Sequence, residues 1–274
     1  MKDSFVDRVV ESAQQAGSIL LKYKEKGFSV ASKDGMEFVT EADFKSEEFL
    51  EKTLTVLLPG SSFLGEESWR GNWPETPFWV VDPLDGTNNY AAGIPFFCVS
   101  IALVDEDGVS LGCVHDPVHS ETFLAMRGGG AFLNGETIKI SPACILRDAI
   151  FATGFPYSRT PENLNFDMDA LTGMLGEARG IRRCGSAALD LAYTAAGRYG
   201  GFWEENLKPW DMAAGVLLVR EAGGVVSGFR EKHWTLKSAG VQCSAPGIWN
   251  QFRRIVEKRP SNSGDASKNE PMKP

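Results

Sequence analysis

The hydrophobic residues at the start of the chain recur with a helical period. Between residues 4 and 23 they fall on one stripe of a predicted helix, at Phe5, Val9, Ala13, Ala16, Leu20 and Tyr23. A second helix is predicted from about Thr40 to about Leu58, where Pro59-Gly60 ends it. Thr40 and Asp43 at its start resemble a capping box with Asp in place of Glu.

Strand patterns dominate the next part of the chain. Segments rich in β-branched and aromatic residues predict strands at 77–82, 96–104, 109–115 and 121–126. Asp107-Gly108 separates two of these segments and, like Asn134-Gly135 further on, predicts a hairpin turn. The first half of the chain, residues 1–140, is therefore predicted to be an antiparallel α+β unit.

Strands and helices alternate in the second half, residues 141–258. Strands are predicted at 149–155 and 200–205, and helices at 163–178, 186–198 and 212–223. The polar residues 259–274 carry no apolar period and are predicted to form a disordered tail. We therefore expect a single folded domain over residues 1–258, with a layered α+β architecture rather than a barrel.

Composition narrows the class of protein. The 274 residues include 36 acidic and 28 basic side chains, which gives a net charge of −8, and 43% are hydrophobic, as in a globular chain. The acidic balance argues against a nucleic-acid groove, and no apolar run is long enough for a membrane span. The start of the chain lacks the apolar core of a secretion signal.

The five cysteines are scattered and form no CxxC pair, which predicts free thiols in a reducing cytoplasm.

The segment WVVDPLDGTNNY, residues 79–90, is the strongest candidate for chemistry. An apolar strand leads to Asp82, Pro83 is expected to end its hydrogen-bonded ladder, and Gly86 allows a close approach that a side chain would block. If a helix begins after Asp85, its first amides form an anion site, and the two aspartates beside it need a cation such as Mg²⁺. On pattern alone, an ordinary turn explains these residues about equally well.

Two further acidic segments are ambiguous by themselves. Adjacent glutamates such as Glu66-Glu67 are ordinarily solvated, and an aspartate before an apolar helix, such as Asp211, is ordinarily a helix N-cap. Arg182-Arg183 could steer an anionic substrate, although a solvated pair is the commoner outcome.

Together these segments resemble the inositol monophosphatase family. GEES (65–68), DPLDGTNNY (82–90) and WDMAAGVLLVREAGG (210–224) are similar, in order and spacing, to the signature segments of that family. The similarity extends from about residue 32 to residue 224 and includes SKDGMEFVTEAD, GAFLNG, TGFPYSRTPE and GIRRCGSAALDLAYTAAGR. The resemblance implies a layered α-β-α-β-α sandwich of the inositol monophosphatase and fructose-1,6-bisphosphatase type, usually found as a homodimer.

The resemblance also implies a site for two Mg²⁺ ions. Glu66, Asp82 and the main-chain carbonyl of Leu84 match the ligands of the first ion. Asp82, Asp85 and Asp211 match those of the second.

Lys33 and Asp43 match residues beside a third metal position, which binds its ion more weakly. Thr87 with Glu66 matches the pair that orients the attacking water, and Glu66, Thr87 and Asp85 are the expected catalytic residues.

Substrate contacts are implied for a larger set of residues. That set is Glu66, Leu84, Asp85, Gly86, Thr87, Gly185, Ser186, Ala187, Glu204 and Asp211. Within it, Gly86 and Thr87 match the phosphate-binding amides, and Glu204 matches the acid that accepts hydrogen bonds from polyol hydroxyls. Ser186 replaces a threonine found in some relatives, a change expected to tune contacts with the substrate ring.

The chemistry of a phosphate monoester agrees with these implied roles. One metal ion lowers the pKa of a bound water and the other neutralises the leaving oxygen, so no side-chain nucleophile is required. We therefore expect strict Mg²⁺ dependence, and from the resemblance sensitivity to Li⁺.

Several functions remain open within and beyond this family. The expected reaction is hydrolysis of inositol monophosphate or a related polyol or sugar phosphate. Fructose 1,6-bisphosphate, histidinol phosphate and a nucleotide 3′-phosphate are the rival substrates, although the nucleotide and histidinol enzymes tend to carry Lys at the position of Asn88. The alternative of another class is a regulatory or RNA-processing module that binds a protein partner and makes no direct contact with nucleic acid.

Overall fold

A computed structural model describes residues 4–28, 30–32, 38–155 and 168–257 of the chain. Within these residues the helices are α1 (Phe5–Lys26), α2 (Glu41–Leu57), α3 (Thr87–Ala92), α4 (Met168–Glu177), α5 (Ala187–Ala195), α6 (Pro209–Glu221) and α7 (Trp249–Val256). The strands of the first half are β1 (Val30–Ser32), β2 (Phe38–Thr40), β3 (Ser62–Gly65), β4 (Phe78–Asp85), β5 (Cys98–Asp105), β6 (Gly108–Asp116), β7 (Glu121–Met126), β8 (Gly130–Leu133) and β9 (Glu136–Thr137). Those of the second half are β10 (Ile150–Thr153), β11 (Gly180–Arg182), β12 (Gly201–Glu205), β13 (Val225–Ser227) and β14 (Gly240–Ser244).

Side-chain caps fix the starts of the first two helices. The Ser4 hydroxyl accepts from the Asp7 amide at 3.1 Å, while the Asp7 carboxylate accepts from the Ser4 amide at 3.0 Å. Thr40 and Asp43 form the same reciprocal box at the start of α2. The capping box predicted there is confirmed.

Strands β3 to β9 form a seven-stranded sheet in chain order. Strand β3 is parallel to β4, and every later neighbour is antiparallel. Both predicted hairpins are present, but the first is displaced by one residue. Asp105 pairs with Gly108, so the two turn residues are Glu106 and Asp107 rather than Asp107 and Gly108.

The second half builds a five-stranded mixed sheet, in the order β11-β10-β12-β14-β13. Strand β10 is parallel to both β11 and β12, whereas β14 is antiparallel to β12 and β13. This combination agrees with the alternation of strands and helices in the sequence.

Burial on both faces of each sheet sets the order of the layers. Trp79 and Val81 of β4 face a core shared with α1 and α2, whereas Phe78 and Val80 face α5 and α6. The far side of α5 and α6 packs on the five-stranded sheet, whose other face is covered by α4 and α7. The predicted layered α+β fold is therefore confirmed, in the order α-β-α-β-α.

Some predicted bounds differ from the observed ones. The helix predicted from residue 212 begins at Pro209, because proline suits the first helical position. Only the part of the predicted helix 163–178 from Met168 onward is described, and the tail 259–274 lies outside the described residues. None of the helices in the described ranges is both long and apolar enough to cross a membrane.

Candidate active site

Strand β4 carries the candidate site at its carboxyl end. All its residues are buried, as expected of a strand covered on both faces. The ladder with β5 pairs Asp82 with Ser100, skips two residues, and resumes with Asp85 opposite Cys98. The prediction that Pro83 ends the ladder was wrong, because the residue lies in a bulge that bends the strand without terminating it.

Gly86 makes the turn from β4 into α3. Its φ is +97°, and a Cβ there would lie 3.0 Å from the Phe96 carbonyl oxygen and 3.3 Å from that of Gly185. Both the backbone conformation and the close approach therefore require glycine, as predicted. Helix α3 begins at Thr87, so the backbone amides of Gly86 and Thr87 lie at its N-terminal end and have no acceptor within the helix.

Two aspartates of β4, Asp82 and Asp85, meet Asp211 from a distant part of the chain beside this turn. Carboxylate oxygens of Asp82, Asp85 and Asp211 all lie within 4.8 Å of one another. Asp211 enters the cluster from the first turn of α6, where it is the third helical residue and its Oδ2 accepts from the Lys208 amide at 2.7 Å. The simple N-cap interpretation of Asp211 is therefore incorrect, because Lys208 occupies the cap position.

One oxygen of each carboxylate is held by a hydrogen bond within the protein. Leu84 N–H donates to Asp82 Oδ1 at 2.9 Å. The Ser186 hydroxyl and the Ala188 amide donate to Asp85 Oδ2, both at 2.7 Å. These bonds fix the orientation of the carboxylates before any ligand arrives.

Burial and mutual repulsion raise the pKa of every member of the cluster. The pKa of Asp82 is well above its usual range because of burial, with the charges of Glu66, Asp85 and Asp211 adding to the effect. Burial raises the pKa of Asp85 to about 6 and that of Asp211 well above its usual range. Such a set of hard oxygen donors is unfavourable as bare anions and fits a divalent cation.

Glu66 lies next to this cluster on the segment that follows β3. Its amide donates to the Val81 carbonyl at 3.1 Å, which extends the parallel pairing of β3 and β4. Glu47 of α2 supports the segment, because its Oε2 accepts from the Glu67 amide at 2.8 Å. A Cβ on Gly65 would lie 2.5 Å from that Glu47 oxygen, so glycine is needed for this contact.

The Thr87 hydroxyl lies between two acceptors. Its Oγ1 is 3.1 Å from Asp43 Oδ1 and 3.0 Å from the Leu84 carbonyl oxygen. The pKa of Asp43 is raised to about 6, mainly by burial and partly by the charge of Glu66. Asp43 is thus part of the site, whereas Lys33 lies outside the described residues.

The segment from Gly185 to Ala187 leads into α5 beneath the cluster. The Ser186 side chain is 1% exposed, and its hydroxyl is bonded to Asp85. Ser186 is therefore engaged with Asp85, and its expected effect on contacts with the substrate ring stays a prediction. The Arg183 guanidinium packs over the Phe155 ring at 5.8 Å, and a Cβ on Gly185 would come within 2.7 Å of its Nη1.

Glu204 of β12 lies near the same carboxylate cluster. Burial raises its pKa to about 8, while the positive charge of Arg183 acts in the opposite direction. The negative charge of Glu204 also contributes to the raised pKa of Asp211. Arg183 is therefore close to the site rather than simply solvated.

Asp190 and Cys98 were not identified from the sequence. Asp190 on α5 is 1% exposed, and its Oδ1 has no hydrogen-bond partner among the described residues. Burial and then the charges of Glu204 and Asp85 raise its pKa well above the usual range. The Cys98 thiol is fully buried, 3.6 Å from the Ser186 hydroxyl. Neither residue stands out in the sequence, since their positions depend on long-range packing.

Comparison with known proteins gives one consistent result. The model of the inositol monophosphatase family matches residues 1–262. The chain is 35% identical to an inositol monophosphatase from Dictyostelium discoideum over 95% of this chain and 98% of the relative. It is 41% identical to the Nus factor SuhB of Pseudomonas aeruginosa, over 85% and 88% of the two chains.

Similarity to a solved structure covers almost the whole fold. The extragenic suppressor protein suhB from Bartonella henselae superimposes with a TM-score of 0.86 at 38% identity, covering 92% of this chain and 98% of that one. The sequence signatures, the layered fold and these relatives agree. The chain therefore belongs to the inositol monophosphatase family, whose members are phosphoric monoester hydrolases.

Proposed function

We propose that this protein hydrolyses inositol monophosphate, or a related polyol phosphate, to the alcohol and inorganic phosphate with Mg²⁺ as cofactor. The observation that carries the proposal is the convergence of Asp82, Asp85 and Asp211 within 4.8 Å. Glu66 and the Leu84 carbonyl border the same cluster and would complete the donor set. When bound, the Mg²⁺ ions would supply Lewis acidity toward water and toward the phosphate oxygens.

The protein's own groups would bind and orient the reactants. The backbone amides of Gly86 and Thr87 lie at the start of α3, where a phosphate oxygen would be favoured. The Thr87 hydroxyl donates its proton to Asp43 or to the Leu84 carbonyl, so its oxygen remains an acceptor for a water molecule. With the Glu66 carboxylate as a second acceptor, that water would be oriented for in-line attack.

The leaving group would occupy the opening near Glu204 and Arg183. A carboxylate accepts hydrogen bonds from hydroxyl groups, which favours a leaving group rich in hydroxyls. Asn88 follows the DGT turn where the nucleotide and histidinol enzymes tend to carry Lys, which favours an inositol or sugar phosphate.

A regulatory role is the second candidate, because one relative is named a Nus factor. The carboxylate cluster favours the enzyme, since a protein that only binds a partner would gain nothing from several buried, mutually repelling acids. Direct measurement of phosphate release separates the two functions.

The test is a phosphate-release panel with and without Mg²⁺. Inositol 1-phosphate, fructose 1,6-bisphosphate, histidinol phosphate and 3′-phosphoadenosine 5′-phosphate should be compared at equal concentration. We expect Mg²⁺-dependent release, fastest from inositol 1-phosphate, and loss of turnover in Asp82→Asn with an unchanged circular dichroism spectrum. Activity that persists in Asp82→Asn or in chelator would contradict the proposal, and a folded protein inactive on all four substrates would favour the regulatory role.

A further inference from the structure

The carboxylate of Glu204 lies directly against the backbone of Gly154. A Cβ built on Gly154 would come within 1.9 Å of Glu204 Cδ and of both carboxylate oxygens. Real Cβ atoms do not approach other atoms so closely, and therefore no side chain at residue 154 is compatible with this position of the Glu204 carboxylate.

Strand pairing explains why these two residues meet. Gly154 directly follows β10, and Glu204 belongs to β12, its parallel neighbour. Thr153 pairs with Trp203, so Gly154 and Glu204 occupy the next step of the same register. The carboxylate position is therefore set by two rigid strands, and the Gly154 backbone forms the surface on which it lies.

The surroundings bring this carboxylate close to the carboxylate cluster and to Arg183. Phe155, the residue after Gly154, stacks with Arg183, and the Arg183 charge acts on Glu204. On its other side Glu204 is close enough to Asp211 to affect its ionisation. Glu204 is thus close to both the carboxylate cluster and the Arg183 guanidinium, where the proposed function places the leaving group.

We propose that Gly154 is a specificity-determining positioning residue, which allows the Glu204 carboxylate to lie where it accepts hydrogen bonds from the hydroxyls of a polyol leaving group. This inference rests on the proposed function and names the residue that makes its substrate preference possible. A methyl group at residue 154 would rotate the end of the flexible Glu204 side chain away, while leaving Asp82, Asp85 and Asp211 in place.

The test measures the ratio of kcat/KM for inositol 1-phosphate to kcat/KM for p-nitrophenyl phosphate, whose leaving group has no alcohol hydroxyls. Gly154→Ala is expected to lower this ratio about 10-fold, because the hydrogen bonds between the substrate hydroxyls and Glu204 are lost, and the loss should appear as a higher KM for inositol 1-phosphate. The matched control is Gly176→Ala on α4, where an added Cβ meets nothing within 4 Å. It should keep the wild-type ratio.

A double variant separates positioning from general damage to the fold. In Glu204→Ala the space above Gly154 is empty, so adding Gly154→Ala should change neither the ratio nor the melting temperature further. A wild-type ratio in Gly154→Ala, or an additional loss of ratio in the double variant, would overturn this inference alone. A wild-type protein that releases no phosphate from any polyol phosphate would overturn the proposed function as well.

Discussion

Buried carboxyl groups should make the metal-free protein less stable as the pH rises. Burial raises the pKa of Asp85 from 3.8 to about 6 and that of Glu204 from 4.5 to about 8. A carboxyl group with a raised pKa holds its proton more tightly in the folded than in the unfolded chain. Its contribution to stability is therefore complete below the unfolded pKa and is lost as the pH rises through the folded pKa.

The size of the effect follows from these two pKa values. Between pH 5 and pH 8, the stability falls by about one pKa unit's worth for Asp85 and by about two and a half for Glu204, which is only half ionised at pH 8. Each unit corresponds to about 1.4 kcal/mol. These two groups alone should therefore lower the free energy of unfolding by about 5 kcal/mol, of which about 4 kcal/mol belongs to Glu204. The fall is increased by the raised pKa values of four more carboxyl groups, those of Asp43, Asp82, Asp190 and Asp211. Because whole domains are stable by only about 5–15 kcal/mol, the loss should be easily measured.

Urea denaturation in the presence of a chelator, at several pH values from 5 to 8, measures this dependence. Glu204→Gln keeps the shape of the side chain and removes its ionisation, so it should remove about 4 kcal/mol of the fall. Glu48→Gln is the control, because Glu48 is exposed and forms a surface ion pair with Lys45. His115, whose pKa is lowered by burial, has the opposite pH dependence in all three proteins, and the difference between slopes is therefore the informative quantity.

Added Mg²⁺ should restore stability at pH 8, since a ligand present at about 100 times its Kd stabilises the folded state by about 2.7 kcal/mol. A free energy of unfolding that stays constant or rises between pH 5 and pH 8 in chelator would refute the reasoning. Retention of the full slope by Glu204→Gln would refute the contribution assigned to that residue.

Three further substitutions test other parts of the site and fold. Ser186→Ala removes the buried hydrogen bond to Asp85 and should weaken Mg²⁺ binding at least about 10-fold in calorimetry, with the fold retained. Thr87→Val should lower kcat about 100-fold with little change in KM, whereas Thr87→Ser, which keeps the hydroxyl, should recover most of the rate in steady-state assays. Gly112→Ala would place a Cβ 2.7 Å from the Ala214 carbonyl oxygen and should cost about 1–3 kcal/mol in urea denaturation, without changing KM.

Local sequence patterns predicted the helices and strands well, because caps and helix ends depend on residues that are neighbours in the sequence. The capping box at Thr40 and the helix end before Pro59-Gly60 involve only nearby residues, and the observed α2 agrees with both. The bulge at Pro83 was not predicted, because Pro disrupts a ladder in general and only the sheet determines whether pairing resumes beyond it. The start of α6 was placed too late, since Pro209 was not recognised as a first helical residue.

The residues of the site could be predicted only through the family resemblance, because tertiary contacts bring them together. No spacing rule brings Asp211 to Asp82, because their meeting requires α6 to pack between the two sheets. Glu47 carried a detectable signal, since it lies on the face of α2 that also buries Ala42 and Leu50, where a charged residue is out of place. Gly154 carried none, because its role becomes visible only when a Cβ is placed against Glu204.

The acidic excess of the chain has a different meaning once the burial of individual residues is known. The buried acids of the described residues are Asp43, Glu47, Asp82, Asp85, Asp116 and Asp190, and no lysine or arginine among those residues is buried. A net charge of −8 would ordinarily indicate solubility, yet six of the 36 acidic residues lie in the interior. Buried charges must be neutralised by protons, by counter-ions or by bound metal. Because carboxylate oxygens of Asp82, Asp85 and Asp211 lie within 4.8 Å of one another, divalent cations are the neutralising species that the arrangement fits. The same cations would draw a phosphate dianion to the site.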